Sequence, residues 1–239
     1  MGGDELLLVL PNTGTEGALQ LCERLRNTQL IRPYIAPDGQ TVYVADSNNR
    51  RIQAFTPEGT LVRRWGSSGT GDGQFDKPSR VAVGPDGTVY VSDYYNYRVQ
   101  FFDWSGAYLG QWGIAGAGPG QFNRPGGVAV SPGGNRVYVA DQYHDRVQFF
   151  DRGGTYLGQW GATGSGAGQF AFPSQVTVAP DGTVLVADND NHRIQVFDAA
   201  GRFLRMWGSE GSGNGQFAVP GGMAAGGCRP CAMELPPLR

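Results

Sequence analysis

Apolar and polar residues alternate along the chain in short runs, and residues that favour turns separate the runs. Between residues 80 and 112 the runs cover residues 80–83, 88–92, 98–102 and 107–112. Valine, tyrosine and phenylalanine at alternating positions are typical of β-strands. Pro85-Asp86-Gly87 and Ser105-Gly106, which lie between runs, predict tight turns. The pattern therefore predicts four antiparallel strands in succession.

The four-run pattern recurs along the chain with a period of about 47 residues. Its markers are Asp46, Asp93, Asp141 and Asp188; Arg51, Arg98, Arg146 and Arg193, five positions later; Trp65, Trp112, Trp160 and Trp207; and Phe75, Phe122, Phe170 and Phe217, each after a glutamine. The aspartates lie 47, 48 and 47 residues apart, and the tryptophans keep the same intervals. Such a fixed register indicates a repeat protein. No apolar period of 3.6 residues occurs between residues 31 and 217, which excludes a helical repeat.

A single four-stranded sheet cannot bury both of its faces, whereas sheets stacked around an axis can. The sequence therefore predicts an all-β fold, a β-propeller of four-stranded antiparallel blades. Four blades are complete, and a partial fifth begins at residues 216–224 and stops after its first strand. Incomplete closure of the ring is favoured.

The segments outside the repeats define the expected domain boundaries: an N-terminal segment at 1–29, the propeller at 30–226 and an irregular tail at 227–239. Thr13-Gly-Thr-Glu16 resembles a capping box, so a short amphipathic helix is expected before the first blade. Two alternatives remain open for this segment. The helix could cover an open blade face, or residues 5–10 could add a strand to the last blade.

The repeat has a recognisable family resemblance. The run from Pro180-Asp181-Gly182 through Asp188, then Asn191-His192-Arg193-Ile-Gln-Val-Phe197, Trp207-Gly and Gly215-Gln216-Phe217, resembles an NHL repeat. Over about residues 31–226 the chain is similar to the propellers of tripartite-motif ubiquitin ligases and of bacterial NHL sensors. The resemblance implies five or six blades and a role as substrate receptor of a ubiquitin-ligase system. The sequence has no RING-type ligand series, so ligase activity would require another domain.

Residues that recur in every repeat are expected to be structural, because an active site needs only one copy. The interpretation covers the ion pairs Asp46/Arg51, Asp93/Arg98, Asp141/Arg146 and Asp188/Arg193, which tie the turn between the second and third strands. Asn49, Asn96 and Asn191, with His144 in the same slot, are expected to form turns. The four tryptophans are expected to pack between blades.

Function is expected where the repeats differ, on loops held by a rigid scaffold. The turns between second and third strands and the glycine-rich loops between blades should emerge on one face. The predicted partner-binding residues there are Asn48, Arg50, Lys77, Tyr94, Tyr95, Tyr97, Arg124, Gln142, Tyr143, Asn189 and His192. Tyrosine-rich surfaces suit protein or peptide recognition. The alternative is a solvated polar rim without a partner.

RNA is the alternative partner, because some tripartite-motif NHL propellers imply it. Exposed tyrosines could stack on bases, and Arg50, Arg51, Arg63 and Arg64 make the first blade basic. Asp72, Asp76, Asp145 and Asp190 oppose this function by spreading negative charge over the same loops. The formal charge of −2 likewise gives no electrostatic reason to expect nucleic acid or an anionic membrane.

Catalysis and cofactors are not expected. The propeller lactonases and the amidating lyase that the fold resembles hold a metal near the central channel. The first strands read Val81-Ala-Val83, Val128-Ala-Val130 and Val176-Thr-Val178, without carboxylate or histidine. Two histidines cannot build a three-histidine site, and Cys228-Arg-Pro-Cys231 supplies only half of a structural zinc site. No metal is therefore expected.

Targeting signals are also missing from the sequence. The N-terminus lacks the pattern of a secretory signal, and no run approaches the ~20 apolar residues of a membrane span. An intracellular location without membrane contact is expected. The oligomeric state is left open.

Overall fold

The computed structural model describes residues 31–35 and 41–225. These residues form four successive four-stranded antiparallel sheets, here called blades 1 to 4, and they contain no α-helix. Blade 1 consists of Ile31–Ile35, Val42–Asp46, Arg51–Phe55 and Leu61–Trp65, and blade 2 of Pro78–Val83, Val89–Asp93, Arg98–Phe102 and Tyr108–Trp112. Blade 3 consists of Pro125–Val130, Val137–Asp141, Arg146–Phe150 and Tyr156–Trp160, and blade 4 of Pro173–Val178, Val184–Asp188, Arg193–Phe197 and Phe203–Trp207. The predicted propeller blades are confirmed.

Short elements connect the blades and close the turns. Ser67–Ser68 pairs with Gln74–Phe75 in parallel, and single parallel bridges stand at the same place after the other blades. Single turns of 3₁₀-helix occupy Ser47–Asn49 and Gln142–His144, between second and third strands. The parallel pairs bring the two ends of each glycine-rich loop together.

Each blade is a meander in which successive strands are neighbours. In blade 2 the Asp86 carboxylate accepts a hydrogen bond from the Thr88 N–H at 3.0 Å, and Gly87 has φ = +83°. A left-handed glycine of this kind closes the turn without a Cβ clash. The second and third strands pair so that Asp93 stands opposite Arg98. The predicted turn and the aspartate–arginine register are therefore both present.

The blades pack face against face through aromatic residues. The ring centroids of Trp65 and Phe102 lie 5.8 Å apart, and the equivalent pairs Trp112–Phe150 and Trp160–Phe197 lie 5.4 and 5.5 Å apart. A Cβ on Gly106 would stand 2.9 Å from the Trp65 ring, so the indole requires glycine in the next blade. Each of these three tryptophans therefore fills a seam between two blades.

Blade 4 is the last four-stranded blade among the described residues, and its outer seam is less covered than the others. Trp207 is 42% exposed, whereas Trp112 is 9% exposed. The partial fifth unit continues beside blade 4, where Gln175 Nε2 donates to the Met223 carbonyl at 2.9 Å. The predicted first strand of this unit is not formed within described residues 218–225.

Several expectations fall outside the residues described above. These are the short helix and the alternative added strand within segment 1–29, the tail at 227–239, and all three cysteines. The part of the chain that the structure describes contains no helix long and apolar enough to cross a bilayer.

Candidate functional site

The repeated aspartates are buried hydrogen-bond hubs. In blade 2, Asp93 Oδ1 accepts the backbone N–H groups of Asp76 and Lys77 at 3.0 and 3.2 Å. Its Oδ2 accepts bonds from Asn96 Nδ2 at 2.7 Å and from Arg98 Nε at 3.1 Å. The Asp93 side chain is fully buried, so its charge depends on these donors.

The repeated arginines join each turn to the preceding loop. Arg98 donates to the carbonyls of Thr70, Gly71 and Gln74 at 2.7 to 3.0 Å. Arg146 and Arg193 make the equivalent contacts in blades 3 and 4. The turns and the interblade loops therefore lie on one side of the ring. We call this side the loop face, formed by turns 47–50, 94–97, 142–145 and 189–192 and loops 66–77, 113–124, 161–172 and 208–219.

The residue directly after each aspartate is buried beneath the loop face. The slot holds Ser47, Tyr94, Gln142 and Asn189, which are 7 to 9% exposed. Gln142 Nε2 lies 3.4 Å from the Ser174 carbonyl, and the Ser174 hydroxyl donates to Asn189 Oδ1 at 2.5 Å. Gln142 thus connects blades 3 and 4, whereas Asn189 contacts the first strand of its own blade; neither side chain stands on the exposed rim.

The fourth residue after each aspartate has a left-handed backbone. This slot holds Arg50, Tyr97, Asp145 and His192, with φ between +50° and +56°. Arg50 pairs with Asp76 at 3.4 Å, and His192 Nδ1 contacts the Ala218 carbonyl. Tyr97 is half-buried and packs against the core between blades 2 and 3. Because the conformation recurs in every blade, it belongs to the turn and not to a special site.

The second residue after each aspartate is exposed and varies between blades. The slot holds Asn48, Tyr95, Tyr143 and Asp190. Tyr95 and Tyr143 are 42% and 47% exposed. These two tyrosines present large aromatic surfaces on the loop face, at the turns of blades 2 and 3.

Cations and aromatic rings from three blades meet at these tyrosines. Lys77 Nζ lies 4.9 Å from the ring centroid of Tyr94 and 5.2 Å from that of Tyr95. Arg124 Cζ lies 5.7, 5.5 and 4.6 Å from the rings of Tyr94, Tyr95 and Tyr143, and Arg124 Nη1 donates to the Tyr143 hydroxyl at 2.8 Å. We call the group the cation–aromatic patch; its members are Lys77, Tyr94, Tyr95, Arg124, Tyr143 and Phe172.

Phe172 extends the patch to blade 4 and was missed by the sequence analysis. Its ring packs edge-on against Tyr143 with centroids 5.1 Å apart. Phe172 occupies the same repeat slot as Lys77 and Arg124, two residues after the Gln-Phe pair and directly before a proline. Aligning that slot across the repeats would have found it, together with the exposed Val219 of the next repeat.

The electrostatics of the patch favour an uncharged Tyr94. Burial raises the pKa of Tyr94 to about 12; Tyr143 acts in the same direction, and the hydrogen bond with Arg124 opposes it. The phenol therefore stays protonated at neutral pH and presents a neutral ring to both cations. Among the described residues, neither Lys77 nor Arg124 forms an ion pair with a carboxylate.

The described residues hold no group of three or more histidines, cysteines or carboxylates placed to bind a metal. His144 Nδ1 lies 3.0 Å from Asp141 Oδ2, inside the turn of blade 3. Its neighbour in that turn is Arg146, which also contacts Asp141. His144 is thus part of the repeated turn, in the slot that asparagine fills in the other blades.

Comparisons with known proteins identify the repeat. A family model described as NHL repeat matches residues 75–102, 122–150 and 170–197, each running from the phenylalanine of a Gln-Phe pair to the end of a third strand. No similar protein was found among curated sequences.

Two of the matching solved structures illustrate the shared fold. One is hydrazine synthase of Kuenenia stuttgartiensis, at 19% identity and a TM-score of 0.57, over 73% of this chain and 47% of that chain. The other is a streptogramin B lyase, at 15% identity and a TM-score of 0.57, over 73% of this chain and 54% of that one. The chain spans about half the length of these structures, and identities this low show the fold alone.

Proposed function

Because this chain belongs to the NHL-repeat family and its blades place a cation–aromatic patch on one face, we propose that it is a non-catalytic scaffold that binds a protein or peptide. The family resemblance suggests the role of substrate receptor in a ubiquitin-ligase system, with the ligase activity in another domain. The patch is the single observation that carries the proposal.

Three properties make the patch suitable for recognition. Tyr95 and Tyr143 are exposed, yet the ring contacts and cations around them hold their side chains in place. Tyrosine and arginine dominate the energetics of protein interfaces, because they bury much area and also form hydrogen bonds. The buried aspartate hubs fix the turns beneath, so little conformational entropy is lost on binding.

The absence of catalysis is part of the same proposal. The repeated aspartates and arginines could in principle act in catalysis, but their side chains are engaged in hydrogen bonds within the blades. The side chains that differ between blades include the carboxylates of Asp145 and Asp190 and the imidazole of His192, but among the described residues no three such groups come together to bind a metal. The aromatic and cationic side chains of the patch support binding more readily than proton transfer or nucleophilic attack.

Selection from a random peptide library displayed on phage tests the function. Wild-type protein and the double variant Tyr95→Ala/Tyr143→Ala would each be used as bait. The matched control is Leu109→Ala/Leu157→Ala, which removes two equally exposed side chains from the fourth strands of the same blades. We expect peptides recovered on wild-type protein to bind the leucine variant equally and to lose at least tenfold in affinity for the tyrosine variant, because each anchor contributes about 1–2 kcal/mol.

Circular dichroism and thermal melting would establish that both variants are folded. Recovered peptides that bind the tyrosine variant as tightly as wild-type protein would contradict the proposed site. So would a selection that recovers no specific peptide.

A further inference from the structure

The charges of the loop face are unevenly matched. Arg50 pairs with Asp76, and each repeated arginine pairs with its aspartate. Lys77 and Arg124 instead lie over tyrosine rings, and no carboxylate of the described chain forms an ion pair with them. The patch therefore concentrates two positive charges on a chain whose formal charge is −2.

The two cations are also close to each other. Both charged groups lie within 6 Å of the ring centroids of Tyr94 and Tyr95, so they share one pair of rings. Cation–π contact offsets only part of the repulsion between like charges. An anion at this position would interact favourably with both.

We infer that the partner is an acidic peptide, with a carboxylate bound by Lys77 and Arg124 and a neighbouring apolar side chain placed on Tyr143 and Phe172. The inference rests on the proposed function. A guanidinium matches a carboxylate through paired N–H donors, and an ammonium supplies a point charge beside it.

The rest of the face fixes the direction of the peptide. Tyr143 and Phe172 form an aromatic ledge on the blade 4 side of Arg124, and the exposed Val219 follows in the next repeat slot. Asp145 in the turn of blade 3, whose Oδ1 accepts the Phe172 N–H at 2.8 Å, and the exposed Asp190 of blade 4 both repel an anion there. The acidic residue of the peptide therefore lies over Lys77 and Arg124, and its apolar residue points toward blade 4.

A peptide fits this arrangement better than a nucleic acid. Proteins that bind nucleic acid tightly commonly make about 6–10 phosphate contacts. Here two cations are available in the patch, and Asp76 and Asp190 lie on the same face. A chain of phosphates would be attracted to Lys77 and Arg124 and repelled by the aspartates on either side of them.

The composition and binding of the recovered peptides test the inference. We expect aspartate and glutamate to be enriched beside an apolar residue. In fluorescence anisotropy, replacing those acids by asparagine and glutamine should weaken binding at least tenfold. The protein variant Lys77→Gln/Arg124→Gln should lose a similar factor, and raising NaCl from about 50 to 500 mM should weaken wild-type binding severalfold.

The matched control is Arg63→Gln. Arg63 also lies over an aromatic ring, with its Cζ 4.8 Å from the centroid of Trp104, but it belongs to the fourth strand of blade 1. This variant should bind the peptides within twofold of wild-type protein. A larger loss would mean that general positive charge, and not the patch, attracts the peptide, and would overturn the inference.

The remaining outcomes separate the two proposals. Neutral peptides that need Tyr95 and Tyr143 but tolerate Lys77→Gln/Arg124→Gln would overturn the acidic partner and leave the binding function standing. Peptides that tolerate loss of the tyrosines would overturn the function itself. A fluorescent decauridylate that displaces the peptides at equal concentration would overturn the peptide in favour of RNA.

Discussion

At the scale of single residues, the stability of each blade depends on one buried carboxylate. Asp93, Asp141 and Asp188 are fully buried, and each accepts a hydrogen bond from the Nε of the arginine five positions later. An ionised carboxylate is expensive to bury unless it is paired and fully hydrogen-bonded. Each blade buries such an aspartate, so each blade needs the same set of hydrogen-bond donors around it.

Asp93→Asn should therefore destabilise the protein by about 3–5 kcal/mol, because it leaves the Arg98 charge buried and turns an amide N–H toward its donors. Asp46→Asn is the matched comparison. Its partner Arg51 keeps 29% of its side chain exposed, against 6% for Arg98, so solvent can compensate for part of the loss. Urea unfolding followed by tryptophan fluorescence measures both changes. Equal losses in the two variants would contradict this account of the hub.

The sequence predicted the partners within each hub but not which variable residues are exposed. Tyr94 and Tyr95 are adjacent in a variable turn, and so are Gln142 and Tyr143. The structure buries the first of each pair and exposes the second. Alternation by itself does not tell which residue points into the seam, because the turn departs from strand geometry. The sequence also placed Lys77 and Arg124 near these tyrosines. It did not show that both cations contact the rings of Tyr94 and Tyr95, because that arrangement depends on contacts between neighbouring blades.

At the scale of elements, the seam between blades is the unit of packing. Each seam joins a tryptophan of one fourth strand to a phenylalanine of the next blade's third strand. The strand positions followed from the sequence because alternation and turn residues agree in every repeat. The fifth unit shows the limit of such prediction. Its residues match a first strand, but a strand forms only where another strand supplies hydrogen bonds.

The seams predict unequal costs for equivalent tryptophans. Trp112→Ala should cost about 3–5 kcal/mol, because it removes a buried indole between blades 2 and 3 and leaves a cavity. Trp207→Ala should cost less than half as much, since Trp207 is already 42% exposed. Thermal and urea unfolding of the two variants would measure the difference. A Trp207→Ala loss equal to that of Trp112→Ala would show that the last seam is as complete as the others.

At the scale of the whole molecule, each blade contacts mainly the blades next to it along the chain. One further contact joins blade 2 to the fifth unit. In such a series each blade is stabilised by the two blades beside it, and the ends are the weakest parts. Arg80, on the first strand of blade 2, departs from this order. Its Nη2 lies 3.2 Å from the Gly221 carbonyl of the partial fifth unit. The fifth unit thus contacts blade 2 as well as blade 4, although two blades separate them along the chain.

Arg80→Met should therefore loosen the fifth unit without disturbing the seam between blades 2 and 3. Methionine keeps much of the length and the apolar stem of arginine but donates no hydrogen bond. In hydrogen–deuterium exchange, we expect amides in residues 219–224 to exchange severalfold faster, while those of Val89–Asp93 keep their wild-type rates. Gln175→Met is the parallel variant, because Gln175 holds the same unit from blade 4 through the Met223 carbonyl. If only Gln175→Met accelerated exchange there, the fifth unit would depend on blade 4 alone. The contact between Arg80 and Gly221 would then contribute no stability. If both variants did so, the fifth unit would be held from two sides, by blade 2 through Arg80 and by blade 4 through Gln175.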